Sequence, residues 1–135
     1  MTALLGCAAA LLPCSGALAA DSIGSRGQVE WVRRAATNFV DAELAGNGAG
    51  ACAILDAPLR ASERDRTCAQ RWDSSIARLL SVPGARARLR AQRRAIASAA
   101  VVVHGNLATI ALASPLIGAR SNRFLWSENC WMLEA

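Results

Sequence analysis

The spacing of hydrophobic residues changes about two thirds of the way along the chain. Between residues 30 and 94 apolar positions recur every three to four residues, as on one face of an α-helix. From residue 99 to 135 short apolar runs are separated by turn residues, as in strands. Helices followed by a meander indicate an α+β fold, with three to four helices packed on a curved antiparallel sheet of about four strands.

Three helices are predicted in the first part. The first covers residues 29–44, with its polar residues, Glu43 among them, assigned mostly off the apolar stripe, and it ends at a Gly-Asn-Gly sequence. The second covers residues 49–56 and ends before Pro58, because the residue before a proline disfavours helical dihedrals. The third covers residues 67–80. Its stripe is expected to pack on the sheet.

Two hairpins are predicted in the second part. The first joins residues 101–103 to residues 107–113, and the second joins residues 123–126 to residues 130–133. A competing interpretation makes residues 96–119 a membrane-inserted helix in a small membrane protein. His104 within that range makes the interpretation less favourable, because polar groups are costly at the centre of a bilayer.

The N-terminus carries the pattern of an export signal. Residues 3–12 are all apolar, and Ala17-Leu18-Ala19 supplies small residues at a cleavage position. We therefore expect residues 1–20 to be a signal-like segment and residues 21–135 to form one domain. The sequence Leu4-Leu5-Gly6-Cys7 resembles a lipoprotein box. The predicted location is extracytoplasmic, either secreted or membrane-anchored at the cell envelope.

Charge adds one candidate surface. The net charge is +5, and every basic residue is arginine. On a helix, four of these side chains would share a face, which suggests contact with an anionic membrane surface: Arg86, Arg90, Arg93 and Arg94. The alternative is an ordinary solvated face. No aromatic residues interleave with these arginines, which argues against nucleic-acid binding because base stacking has no platform.

The chemistry-bearing residues are few. No metal-ligand spacing and no cofactor motif is present, so neither a metal nor another cofactor is predicted. A serine nucleophile would need a base and an acid within reach, and no motif places them. His104 and Asp41 are the weak candidates for a catalytic group in a pocket.

A resemblance emerges from several short segments spread over nearly the whole mature chain. They are residues 42–48, 51–55 with Pro58 and Arg60, Cys68, 103–110, 124–126 and 130–133. In these segments and in element order the chain resembles the nuclear-transport-factor-2-like (cystatin-like) cone fold, and in particular the small exported or lipid-anchored domains of actinobacteria. Two departures are the arginine-rich stretch at residues 85–94 and the lack of an extra short strand among the helices.

The resemblance implies a cone with an internal pocket. The large aromatic residues expected to line it are Trp31, Phe39, Trp72 and Trp126. The alternative is that these residues simply fill the hydrophobic core of a small domain. The expected function is non-catalytic binding of an apolar small ligand or a cell-envelope partner. The alternative is an isomerase, cyclase or dehydratase that uses the pocket.

The cysteines complete the expectations. Outside the cytoplasm Cys52 and Cys68 are a natural disulfide pair, and the resembling domains have cysteines at both places. Cys130 is then left over among the cysteines after residue 20, and we expect it to be a buried or free thiol.

Overall fold

The computed structural model describes residues 25–60, 66–127 and 129–134. The elements in these ranges run in the order α1 (Ser25–Leu44), α2 (Gly48–Cys52), α3 (Ala57–Arg60), α4 (Cys68–Leu80), α5 (Ala85–Ser98), β1 (Val101–His104), β2 (Leu107–Ile110), β3 (Arg123–Ser127) and β4 (Cys130–Glu134). The helices precede the strands, so the predicted α+β class is confirmed. The predicted export signal and the Cys7 box lie outside the described residues.

Helix α1 is the central helix. Its apolar stripe is fully buried at Val32, Ala36, Phe39 and Val40, and it contacts α2, α5 and strands β1, β2 and β4. Gly46, with φ of +67°, follows its C-terminus in the left-handed conformation that ends many helices. The predicted helix at residues 29–44 is therefore confirmed, with an earlier start at Ser25.

Helix α2 is shorter than predicted. It ends at Cys52, because the next residues pair with the sheet instead of continuing the helix. The backbone N–H of Leu133 donates to the carbonyl of Ile54 (2.7 Å), and the N–H of Asp56 donates to the carbonyl of Leu133 (3.0 Å). Leu55 thus forms a parallel bridge with Leu133. The prediction of a helix over residues 49–56, with no strand-like pairing among the helices, was wrong here.

Helices α4 and α5 begin with different signals. Thr67 caps α4 through a capping box with Gln70. Gly84 precedes α5 with φ of +80°, a conformation that costs glycine little. The predicted helix at residues 67–80 is confirmed, and the arginine-rich segment is helical as far as Ser98.

The four strands form an antiparallel meander in the order β1-β2-β3-β4. Both predicted hairpins are present: Val103 pairs with Ala108, and Trp126 pairs with Trp131. Residues 96–119 contain a helix end, a hairpin and a loop, so the inserted-helix interpretation was wrong. Within the described part of the chain, no helix is long and apolar enough to cross a membrane.

The predicted disulfide between Cys52 and Cys68 is present, with an S–S distance of 2.08 Å and a Cα–Cα distance of 6.1 Å. It joins α2 to the start of α4, where the N–H of Gly48 also donates to Asp73 Oδ1 (2.7 Å). Cys130 is buried and is itself disulfide-bonded. Cys130 was expected to be a buried or free thiol; it is buried, but it is not a thiol.

Candidate functional site

A cleft lies between α5 and the segment that follows β2, residues 111–120. It has two adjoining parts that share Arg88 and Ile117, with volumes of about 300 Å³ and about 560 Å³. The walls of the first part are mostly apolar and include Ala91, Ala95 and Leu112. The walls of the second include Leu79, Pro115, Leu116 and Gly118. Volumes of this size are typical of sites for small molecules.

Gln92 holds the two sides of the cleft together. Its buried side chain donates from Nε2 to the carbonyl of Pro115 (3.0 Å). Its Oε1 accepts from the N–H of Ile117 (2.9 Å). A single amide on α5 therefore fixes two backbone positions of the facing segment.

Residues 116–121 then form a tight loop over the interior. The N–H of Leu116 donates to the carbonyl of Ser121 (2.9 Å), and the N–H of Arg120 donates back to the carbonyl of Leu116 (2.8 Å). Gly118 has φ of +87° and Arg120 has φ of +57°. The loop brings the Cα of Gly118 to the surface of the cleft.

Glu43 lies directly beneath this loop. Its side chain is 0% exposed, and a Cβ placed on Gly118 would overlap its carboxylate. In the part of the chain that the structure describes, neither Oε1 nor Oε2 has a hydrogen-bond partner. Burial in these surroundings disfavours the charged form and raises the pKa of Glu43 to about 8. At neutral pH the group is therefore a neutral carboxylic acid, able to donate one hydrogen bond and to accept others.

Two arginines give the cleft a positive character. Arg88 lines both parts, and Arg120 lines the part nearer Gly118. Within the described residues neither guanidinium is engaged in an ion pair or a side-chain hydrogen bond. Their charges favour neutral or anionic molecules at the mouth of the cleft over cations.

The aromatic residues predicted to bind ligand fall into two groups. Trp31 packs on Trp126 (ring centroids 6.1 Å apart), which packs on Trp131 (5.3 Å). The cleft beside Trp31 and Trp131 has a volume of about 20 Å³, room for about one water molecule. These indoles therefore mainly fill the space between α1 and the sheet.

The second group lies closer to the buried carboxyl. Phe39 is fully buried and meets the half-buried Trp72 edge to face, with ring centroids 5.6 Å apart. The Trp72 ring is also a close neighbour of Gly118. Of the four predicted aromatics, Trp72 is thus the one that the structure places beside the loop over Glu43.

The weak catalytic candidates are at other positions. His104 is exposed at the end of β1, opposite Leu107 in the hairpin. Asp41 accepts hydrogen bonds from Arg93 (2.6 and 3.3 Å) on the surface between α1 and α5. Neither side chain lines the cleft.

The arginine face of α5 is partly used inside the molecule. Arg93 pairs with Asp41, and Arg86 donates to the carbonyl of Leu44 (3.1 Å). The hydrogen bond that Arg93 donates to Asp41 raises the pKa of Arg93 further. Arg90 and Arg94 remain as the exposed cations of the predicted membrane-facing set.

The described residues contain no cluster of three or more His, Cys, Asp or Glu side chains that could hold a metal ion. Comparison of the chain with protein-family models, curated proteins and solved structures found no match. The function must therefore be argued from the cleft.

Sequence reasoning missed Glu43 and Gly118. Glu43 lies seven residues after Ala36 and three residues after Val40, which places it on the buried stripe of α1, not off that stripe as expected from the sequence. An acidic residue at a stripe position was the available signal. Nothing in the local pattern around Gly118 indicated that it would lie over this carboxyl.

Proposed function

We propose that this protein is a small extracytoplasmic α+β domain, related in architecture to the nuclear-transport-factor-2-like cone, that binds an apolar small molecule without chemical conversion. The observation that carries the proposal is the cleft between α5 and residues 111–120. Its volume fits a small molecule, and its walls are mainly Ala, Leu and Ile side chains. Burial of apolar ligand surface against such walls supplies the driving force.

An extracytoplasmic location is supported by the cysteines. Disulfides persist in oxidising compartments and are rare in the cytosol. Cys52 and Cys68 form a disulfide, and residues 3–12 have the composition of an export signal. Intact mass of the protein recovered from its native host, before and after reduction, tests this. A full-length chain with free thiols would contradict the proposed location.

The binding proposal is tested with a neutral fluorescent probe, N-phenyl-1-naphthylamine. Its emission rises when it enters an apolar site, so titration of the full protein gives a Kd. Ala95→Trp fills the first part of the cleft, and Ala87→Trp is the matched control, since Ala87 is an exposed residue of the same helix outside the cleft lining. We expect Ala95→Trp to weaken probe binding at least tenfold and Ala87→Trp to leave it unchanged. Equal binding by both variants would refute this site.

Contact with an anionic membrane is a second proposal, based on the exposed Arg90 and Arg94. Each would contribute about 1 kcal/mol near an anionic surface. Flotation with vesicles containing phosphatidylglycerol tests it: Arg90→Ser/Arg94→Ser should reduce binding, whereas Arg26→Ser/Arg78→Ser, which removes the same charge from exposed positions of α1 and α4, should not. If the arginine variant floats like the wild type, this surface does not bind membranes.

A further inference from the structure

The strongest unexplained feature of the molecule is the buried side chain of Glu43. Both carboxylate oxygens lack a hydrogen-bond partner among the described residues, although the side chain is 0% exposed. A buried polar group without a partner destabilises the folded state. An apolar residue in the same place would avoid this cost, so a function that uses the carboxyl would explain its presence.

Gly118 lies between the Glu43 carboxyl and the cleft. Gly118 lines the second part of the cleft on one side and contacts the Glu43 carboxyl on the other. Because Gly118 has no side chain, only its backbone separates the two. Displacement of Gly118 would open a direct path from the cleft to the carboxyl.

The charges around the cleft restrict what that molecule is. An amine would have to pass Arg88 and Arg120, whose guanidinium groups have no acidic partner among the described residues. A carboxylate would meet Glu43 without gaining a cationic partner at that depth. A neutral oxygen acceptor such as a carbonyl suits a protonated carboxyl, which has one O–H to donate.

We propose that Glu43 is a ligand-binding residue that donates a hydrogen bond to a neutral carbonyl oxygen of an apolar ligand, which reaches it by displacing Gly118. The ligand class is therefore an aliphatic or alicyclic ketone, ester or aldehyde. This inference rests on the proposed function, because it places the polar end of the molecule whose apolar body occupies the cleft.

Competition against the fluorescent probe tests the inference, with 2-nonanone and nonane as a matched pair of competitors. Glu43→Leu removes the donor, and Glu43→Gln keeps one. We expect Glu43→Leu to weaken 2-nonanone binding about five- to tenfold, the range of one neutral hydrogen bond, without weakening nonane binding. Glu43→Gln should retain the preference for the ketone. Equal binding of 2-nonanone by wild type and Glu43→Leu overturns the inference.

A pH series gives a second test that does not depend on the folding of Glu43→Leu. Above pH 8 the wild-type carboxyl loses its proton, so ketone affinity should fall, whereas nonane affinity should stay constant. In Glu43→Gln the ketone affinity should not change with pH. If the wild-type ketone affinity does not change from pH 6 to 9.5 while the probe still binds, the proposed role of Glu43 is overturned but the proposed cleft is not. Loss of the difference between Ala95→Trp and Ala87→Trp overturns the proposed cleft itself.

Discussion

The carboxyl group of Glu43 lies against the Cα of Gly118, at a point where any larger residue would overlap it. The two residues come from different layers: Glu43 belongs to α1, and Gly118 belongs to the loop between β2 and β3. The contact exists because α1 presents an acidic residue on its buried stripe and the loop has a glycine at the matching position. Because of this contact, we expect the ionisation of Glu43 and the position of the loop that contains Gly118 to depend on each other.

The first prediction is that stability falls as pH rises. The pKa of Glu43 is about 8 in the folded protein against an ordinary value of 4.5. Between these values the folded state binds one proton more than the unfolded state, so raising the pH favours unfolding. The stabilising contribution of protonated Glu43 is complete below pH 4.5 and is lost by about pH 8. From pH 4.5 to 7 we expect a loss on the order of 3 kcal/mol in the free energy of unfolding.

Urea unfolding of two variants over the same pH range supplies the control. Glu43→Gln should be nearly independent of pH, because its amide does not titrate. Glu30→Gln removes an exposed acid from the same helix and should follow the wild type. If Glu43→Gln and the wild type lose stability in parallel, the titrating group lies elsewhere.

The second prediction concerns Gly118. In Gly118→Ala the new Cβ is strained by φ of +87° and overlaps the Glu43 carboxylate. Gly84→Ala is a matched control, because Gly84 has φ of +80° with open space around it. The control should cost about 1 kcal/mol from backbone strain alone. Gly118→Ala should cost a further 1–3 kcal/mol from overpacking.

A double variant separates strain from overlap. Glu43→Ala removes the atoms that the Gly118 Cβ would meet, so the extra cost of Gly118→Ala should shrink in that background while the cost of Gly84→Ala stays the same. Thermal unfolding of the four variants measures both effects. Identical costs for Gly118→Ala in the two backgrounds would show that Glu43 and Gly118 do not interact.

The elements set by local pattern were predictable from the sequence. The stripe of α1, the helix over residues 67–80 and the two hairpins each depend on residues close together in the chain, and each was predicted as the right element. The end of α2 was not predictable in this way. Ile54 and Leu55 continue an apolar run, and only the distant Leu133 supplies the backbone partners that draw them out of the helix.

The site was harder to predict than the fold. Large aromatic residues were predicted to bind the ligand. In the structure, however, Trp31 packs on Trp126. The cleft is instead built from small and aliphatic residues of α5 and a loop, which carry no motif. Glu43 could be recognised as a site residue only from its burial on α1 together with the position of the loop that covers it.

The third prediction concerns the disulfides. Cys52 and Cys68 are 16 residues apart in sequence, and opening a loop of that length should cost about 3 kcal/mol in the chain-entropy model. Cys52→Ala/Cys68→Ala should therefore shift the urea midpoint strongly downward at pH 7. In the unreduced wild type, iodoacetamide under denaturing conditions should leave Cys52 and Cys68 unmodified. Labelling of both residues would mean that this disulfide does not form in solution.

The last prediction concerns Gln92, which links the two walls of the cleft. Gln92→Leu keeps the size of the buried side chain but leaves the N–H of Ile117 and the carbonyl of Pro115 without their partner. Because Ile117 is only half-buried and Pro115 is exposed, water can replace part of the lost bonding, and a loss of about 1 kcal/mol in the free energy of unfolding is expected. The segment should also become mobile, since these bonds tie it to α5. Hydrogen exchange should therefore speed up at Ile117, while the N–H of Val102, which pairs with Thr109 in the hairpin, keeps its wild-type rate. Uniform acceleration at both positions would instead indicate general destabilisation and contradict a local role for Gln92.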